Sequence, residues 1–197
     1  MKKYKFLMML LVLALITFGA SQTFAATITY TEQAVVSGNL GNNFFNNSLV
    51  TITLVGDTAN VTGGAGFWQN LVGTFTVNVA SVGTATFTDA MEVFDNQGAA
   101  TVGFGDLTQG PASVLDTVDA AFAAYGLTTA IGPITNTPFI RPDITFNTTL
   151  GGFNIQSAGN STFTASTGTA TPEPGSLILL GTGVVGLLGS LRRKLMM

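Results

Sequence analysis

Short runs in which Thr or Ser alternates with an apolar residue recur along most of this chain. "TITYTEQAVV" (27–36), "SLVTITLV" (48–55), "LVGTFTVNVA" (71–80), "GTATFTDA" (83–90) and "STFTAST" (161–167) all follow the pattern. Period-two alternation rich in Thr, Val, Ile and Phe predicts strands with one face buried. Gly, Asn and Asp interrupt it at "SGNLGNN", "VGDTAN", "TGGAG", "DNQG", "LGGF" and "SAGN", which read as turns. Many short strands at this spacing predict a mainly β fold, an antiparallel β-sandwich.

One stretch changes period. In "SVLDTVDAAFAAYGL" (113–127), Val114, Leu115, Val118, Ala121, Phe122 and Tyr125 fall at helical spacing. Ser113 is placed to cap such a helix, Asp116 to sit in its first turn and Gly126 to end it. The expectation is one short helix over an edge or end of the sandwich. "GPITNTPFIRPD" (132–143) carries three prolines and reads as a fixed loop, and "ASTGTATPEPG" as a small, polar linker.

The mean hydropathy is positive, at +0.46, and the excess sits at the two ends. Lys2, Lys3 and Lys5 precede an apolar run from Phe6 to Phe18, followed by small residues and "TFAA". That order describes a secretory signal peptide over residues 1–25. Cleavage after Ala25 puts Thr23 and Ala25 in the two small-residue positions, so the mature chain is expected to start at Ala26. The apolar run is shorter than the roughly 20 residues of a stable span. The ectodomain is then 26–165, followed by a linker at 166–171 and a tail at 172–197.

The body has nine acids and a single base, Arg141, a net charge of −8. That excludes nucleic acid and disfavours anionic membrane surfaces, because phosphate binding needs clustered Lys and Arg. The chain has no cysteine, so the exported body must hold together without disulfides.

Catalytic chemistry is sparse. Histidine and cysteine are absent from the chain and lysine from the body, which removes Ser-His, Cys-His and Ser-Lys systems and the usual zinc sites. Asp89, Glu92 and Asp95 in "DAMEVFD" are the closest thing to a carboxylate pair for glycoside hydrolysis, but they read as solvated strand-end residues. The expectation is no catalytic, cofactor or metal site, and no enzyme. Calcium ligands, were there any, would be drawn from Asp95, Asn96, Asp106, Asp116 and Asp119, although no EF-hand loop is present. Phe67 and Trp68 in "GGAGFWQN" are candidate glycan contacts, offered as a stacking platform from a flexible loop. Thr-x-Thr pairs would suit a flat ice-binding face, but they follow no fixed repeat and strand propensity accounts for them. The Asn-x-Ser/Thr triplets at Asn46, Asn60, Asn147 and Asn160 carry little weight in a chain this rich in Asn and Thr. Arg141, beside Pro142 and Asp143, reads as a structural base paired with a nearby carboxylate.

The chain closes on "TPEPGSLILLGTGVVGLLGSLRRKLMM". Leu177 to Leu191 spans roughly 22 Å as a helix, against a hydrocarbon core of about 30 Å. Four glycines weaken it further as an anchor. Arg192, Arg193 and Lys194 should hold the end in the cytoplasm, with Pro172, Glu173 and Pro174 just outside the membrane. A marginal membrane helix over 177–191 under a rigid, exposed segment suits temporary retention followed by cutting.

In order and spacing this tail resembles the PEP-CTERM sorting signal of Gram-negative bacteria. The resemblance implies retention in the inner membrane, then processing by an exosortase, with signal peptidase acting at the other end. It also implies a cell-surface or extracellular-matrix protein of bacteria that make exopolysaccharide or biofilm. The β-rich, Thr- and Gly-rich body is similar to ectodomains often attached to this tag. The alternative is a binding module for extracellular polysaccharide, assisted by Ca²⁺.

Overall fold

The computed structural model describes residues 26–108 and 112–168. Thirteen strands run in the order β1 (Thr27–Leu40), β2 (Asn43–Asp57), β3 (Val61–Gly64), β4 (Phe67–Asn70), β5 (Gly73–Val79), β6 (Gly83–Thr86) and β7 (Met91–Asn96), then β8 (Thr101–Asp106), β9 (Ala112–Val118), β10 (Ile131–Asn136), β11 (Pro138–Phe139), β12 (Phe146–Thr148) and β13 (Gly151–Thr167). A seven-stranded sheet has the order β10-β13-β1-β2-β5-β6, with β12 also paired to β13. A six-stranded sheet has the order β11-β9-β8-β7-β4-β3. Every pairing is antiparallel. Two antiparallel sheets sharing one apolar core are consistent with a β-sandwich.

The alternation sets which side chains build that core. Along β1, Ile28, Tyr30, Glu32, Ala34 and Val36 are buried, while the odd-numbered residues between them face outward. Val50, Ile52 and Leu54 do the same on β2, and Phe75, Val77 and Val79 on β5. The other sheet supplies Met91, Val93, Val102, Phe104 and Leu115. Phe75 meets Phe104 edge-on across the core, with ring centroids 6.3 Å apart.

The helix expected in 113–127 is not there. Its first half is β9, where Ser113 to Thr117 are all buried. A strand covered on both faces has a nearly continuous run of buried positions, and periodicity alone does not separate it from a helix. The pairing also slips between Phe104 and Gly105, so that Val114 is an extra residue opposite β8. What remains of the helix is a 3-10 turn, Ala120–Ala124, with Phe122 as its buried residue. Its cap is Asp119, whose carboxylate accepts from the Ala121 amide at 2.9 Å, and not Ser113. Gly126 follows the turn at φ +122.

Other turn and loop expectations also give way to strands. "GPITNTPFIRPD" contains β10 and β11, "GFWQN" forms β4, and "SAGN" lies inside β13. There the register passes from Ala34↔Ser161 to Val36↔Ala158, a bulge that absorbs the extra residues without breaking the strand. β13 runs on to Thr167, so the first two residues assigned to the linker belong to the sheet.

Gly103 is one position where close approach demands glycine. A Cβ there would overlap Cα and Cβ of Asp116 on the neighbouring β9. Gly103→Ala should therefore destabilise by about 1–3 kcal/mol, as overpacked sites do. Thermal unfolding followed by circular dichroism should show a drop of several degrees, and an unchanged midpoint would contradict that packing.

Candidate functional site

The proposed aromatic platform is divided between two faces. Phe67 and Trp68 are neighbours on β4, and successive strand residues point to opposite sides. Phe67 lies on the outer face, stacked on Phe94 of β7 with centroids 6.2 Å apart and planes 9° from parallel. Trp68 is half-buried, packs against the core and sits over Gly126. The two rings do not share a surface.

The carboxylates of "DAMEVFD" separate in the same way. Asp89 lies before β7, where its oxygens accept from the Asn147 backbone amide at 2.6 Å and side-chain amide at 3.0 Å. Glu92 and Asp95 are three apart on β7 and so point to opposite faces, both buried. Burial raises the Glu92 carboxyl above its ordinary value. It pushes Asp95 up to about 6, with a weaker downward pull from the Gln97 side chain. Neither Asp95 oxygen has a hydrogen-bond partner of good geometry.

Of the five candidate calcium ligands, all but the buried Asp95 are engaged by local hydrogen bonds. Asp106 accepts from the Thr108 amide at 2.7 Å and hydroxyl at 2.6 Å. Asp116 accepts from the Phe139 amide at 2.8 Å. Asp119 caps the 3-10 turn and accepts from Asn136 at 3.2 Å, and Asn96 accepts from the Ala99 amide at 3.1 Å. Among the described residues, no group of three or more acidic side chains is placed to hold a metal ion. Arg141 pairs with Asp143 through two contacts of 3.3 Å on the surface. Its guanidinium holds the Asp143 carboxyl below the usual range.

A buried polar cluster that sequence reading missed ties the sheets together. Glu32 of β1 is fully buried, and the Thr117 hydroxyl of β9 donates to its Oε1. Thr117 Oγ1 and Ser161 Oγ of β13 are 2.5 Å apart, and Ser161 Oγ also reaches the Asp116 carbonyl at 3.1 Å. Burial raises the Glu32 carboxyl well above its ordinary value, opposed by the Thr117 hydrogen bond and reinforced by Asp116. With hydroxyls and no base beside it, the cluster can hold a proton but offers no nucleophilic relay. Its signal was in "TITYTEQAVV": Glu32 occupies an inward position of the alternation, in line with Tyr30 and Ala34.

Ala26, the residue expected to start the mature chain, is the first one described. Its amide donates to Thr58 Oγ1 at 3.1 Å, and its carbonyl accepts from the Thr58 amide at 3.0 Å. Ala25, the signal peptide, Pro172, Glu173, Pro174, Arg192, Arg193, Lys194 and the expected membrane helix all lie outside the described residues. Among the described residues no helix is long and apolar enough to cross a membrane. No curated protein and no solved structure matches the chain. The tail does match: residues 170–194 carry the PEP-CTERM protein-sorting motif, which implies an exported protein sorted by an exosortase.

Proposed function

We propose that this chain is a non-enzymatic protein of the cell surface or extracellular matrix, sent there through its tail. The observation that carries the reading is the sorting motif at 170–194 behind an acidic β ectodomain. Signal peptidase releases the N-terminus at Ala26, the helix at 177–191 holds the chain in the inner membrane, and the exosortase then cuts near Pro172–Pro174. A body without His, Cys or Lys, in which Glu92 and Asp95 face apart on β7, supports a binding or structural role over catalysis. The polysaccharide alternative loses its support where Phe67 and Trp68 part company.

The test is to replace Pro172, Glu173 and Pro174 together with alanine. The triplet falls inside the matched motif, and a proline restricts the residue before it to non-helical backbone. The triple variant should stay in the inner membrane as a longer form while its N-terminus is still exported. Fractionation of cells that also express the sorting protease checks this, and release as efficient as that of the wild type would refute it.

A further inference from the structure

Strand pairing gives the Thr-x-Thr pairs the regular repeat that their sequence positions lack. Thr31 on β1 pairs with Thr164 on β13 and with Thr53 on β2. Thr53 pairs with Thr76 on β5, and Thr76 with Thr86 on β6. One row of five threonines therefore crosses five neighbouring strands. The residues flanking the row on the chain (Tyr30, Ile52, Phe75, Ala85 and Phe163 among them) are all in the core, which turns the threonines outward.

Adjacent rows extend the array. On one side Gln33 lies between Thr162 and Thr51, followed by Asn78 and Thr84. On the other, Thr29 lies between Ser166 and Val55, followed by Thr74. These three rows contain no charged and no aromatic side chain, in a body of net charge −8. Hydroxyls in the second row already bond sideways, Gln33 to Thr51 at 2.9 Å and Asn78 to Thr84 at 2.6 Å. Those of the central row have no side-chain partner among the described residues and are free to meet something else.

We propose that this face binds ice. Neighbouring strands lie on average about 4.8 Å apart across the sheet, and alternate residues about 6.8 Å apart along a strand, which sets the mean mesh of the threonine array. Oxygens on a prism face of ice repeat at close to the same two intervals. Threonine suits such a surface because its branched side chain is stiff at χ1, so the array is ordered before contact and little entropy is lost on binding. Each residue presents a hydroxyl to the lattice and a methyl that sheds water, and no charge has to be desolvated. The other occupants fit less well. A sugar chain gains most from an aromatic stacking platform, and none is present here. A second copy of the chain would want buried aromatic or Arg anchors, which the face also lacks. Sheet twist makes the centre of the array, at Thr53, the point of closest match.

The proposal concerns the ectodomain and stands apart from the sorting reading, since secreted protein can be tested wherever it was sorted. The experiment measures ice-grain growth in a frozen sucrose film, and partition of the exported protein into a slowly growing ice front. Wild type should restrain grain growth and enter the ice. Thr53→Lys and Thr51→Lys, each checked for an unchanged melting midpoint, should lower the activity by about tenfold or more, the equivalent of some 1.4 kcal/mol. Thr128→Lys, an exposed position outside the three rows, should leave it unchanged. Grain growth indistinguishable from buffer with the wild type would overturn the proposal without reference to any variant. So would full activity in Thr53→Lys, or binding to insoluble neutral polysaccharide in place of ice.

Discussion

Replacing Phe163 with alanine should lower the melting midpoint of the exported protein by about 10–15 °C. Phe163 is fully buried on β13, where it meets three other rings. Phe122 stands edge-on at 5.7 Å, Tyr125 at 6.3 Å and Tyr30 at 6.5 Å. The Tyr30 hydroxyl donates to the Leu127 carbonyl at 2.6 Å, so the same cluster pins the turn after β9 onto the larger sheet. Truncating such a ring costs about 3–5 kcal/mol, and in a body of this size each kcal/mol moves the midpoint by roughly 3 °C. Phe139, 53% exposed, is the control; Phe139→Ala should change stability by no more than about 0.5 kcal/mol. Equal small effects for the two would show that the aromatic cluster does not organise the fold.

Most strands of the larger sheet were legible because one face is buried and the other wet. In β1, β2, β5 and β13 that contrast is written as Thr against Ile, Val or Phe. β9 was not legible, since burial on both faces erases the alternation and leaves a pattern that also fits a helix. Bulges were misread as turns for a related reason: Gly159 and Asn160 look like a chain reversal, and only the partner strand shows that β13 continues. The tail needs no tertiary structure to be recognised, because its order of Pro-Glu-Pro, apolar run and basic end is local. Pairing between residues as distant as Thr31 and Thr164 is what arranges the threonines, and no local repeat announces it. Phe67 and Trp68 failed as a pair through simple strand geometry, once β4 proved to be a strand and not a loop.

The stability of this protein should rise on mild acidification, opposite to the common behaviour of proteins held by carboxylate pairs. Glu32, Glu92, Asp95 and Asp116 are all buried, and none has a Lys or Arg partner among the described residues. Burial raises each of them. Asp116 reaches about 6 despite the hydrogen bond it accepts from the Phe139 amide, and Asp95 reaches the same value. Unfolded, these groups ionise near pH 4. Between that value and about 6 the folded chain binds more protons than the unfolded one, so stability is fully present below about pH 4 and is lost as pH rises through the folded values. Each such group removes up to about 1.4 kcal/mol per pH unit inside its window. Glu32, which burial raises well above its ordinary value, works in the same sense. Asp143 works in the other sense, but it is fully exposed and lies on the surface. The melting midpoint should therefore climb by several degrees from pH 7 to pH 4. Asp95→Asn should reproduce part of that gain at pH 7, by up to about 3 kcal/mol for a group displaced by some two units, and add nothing at pH 4. Thermal melts of both proteins across this range decide the matter: a wild-type midpoint that falls with acid, or an Asp95→Asn gain that persists at pH 4, would mean that the buried carboxyls do not hold their protons in the fold.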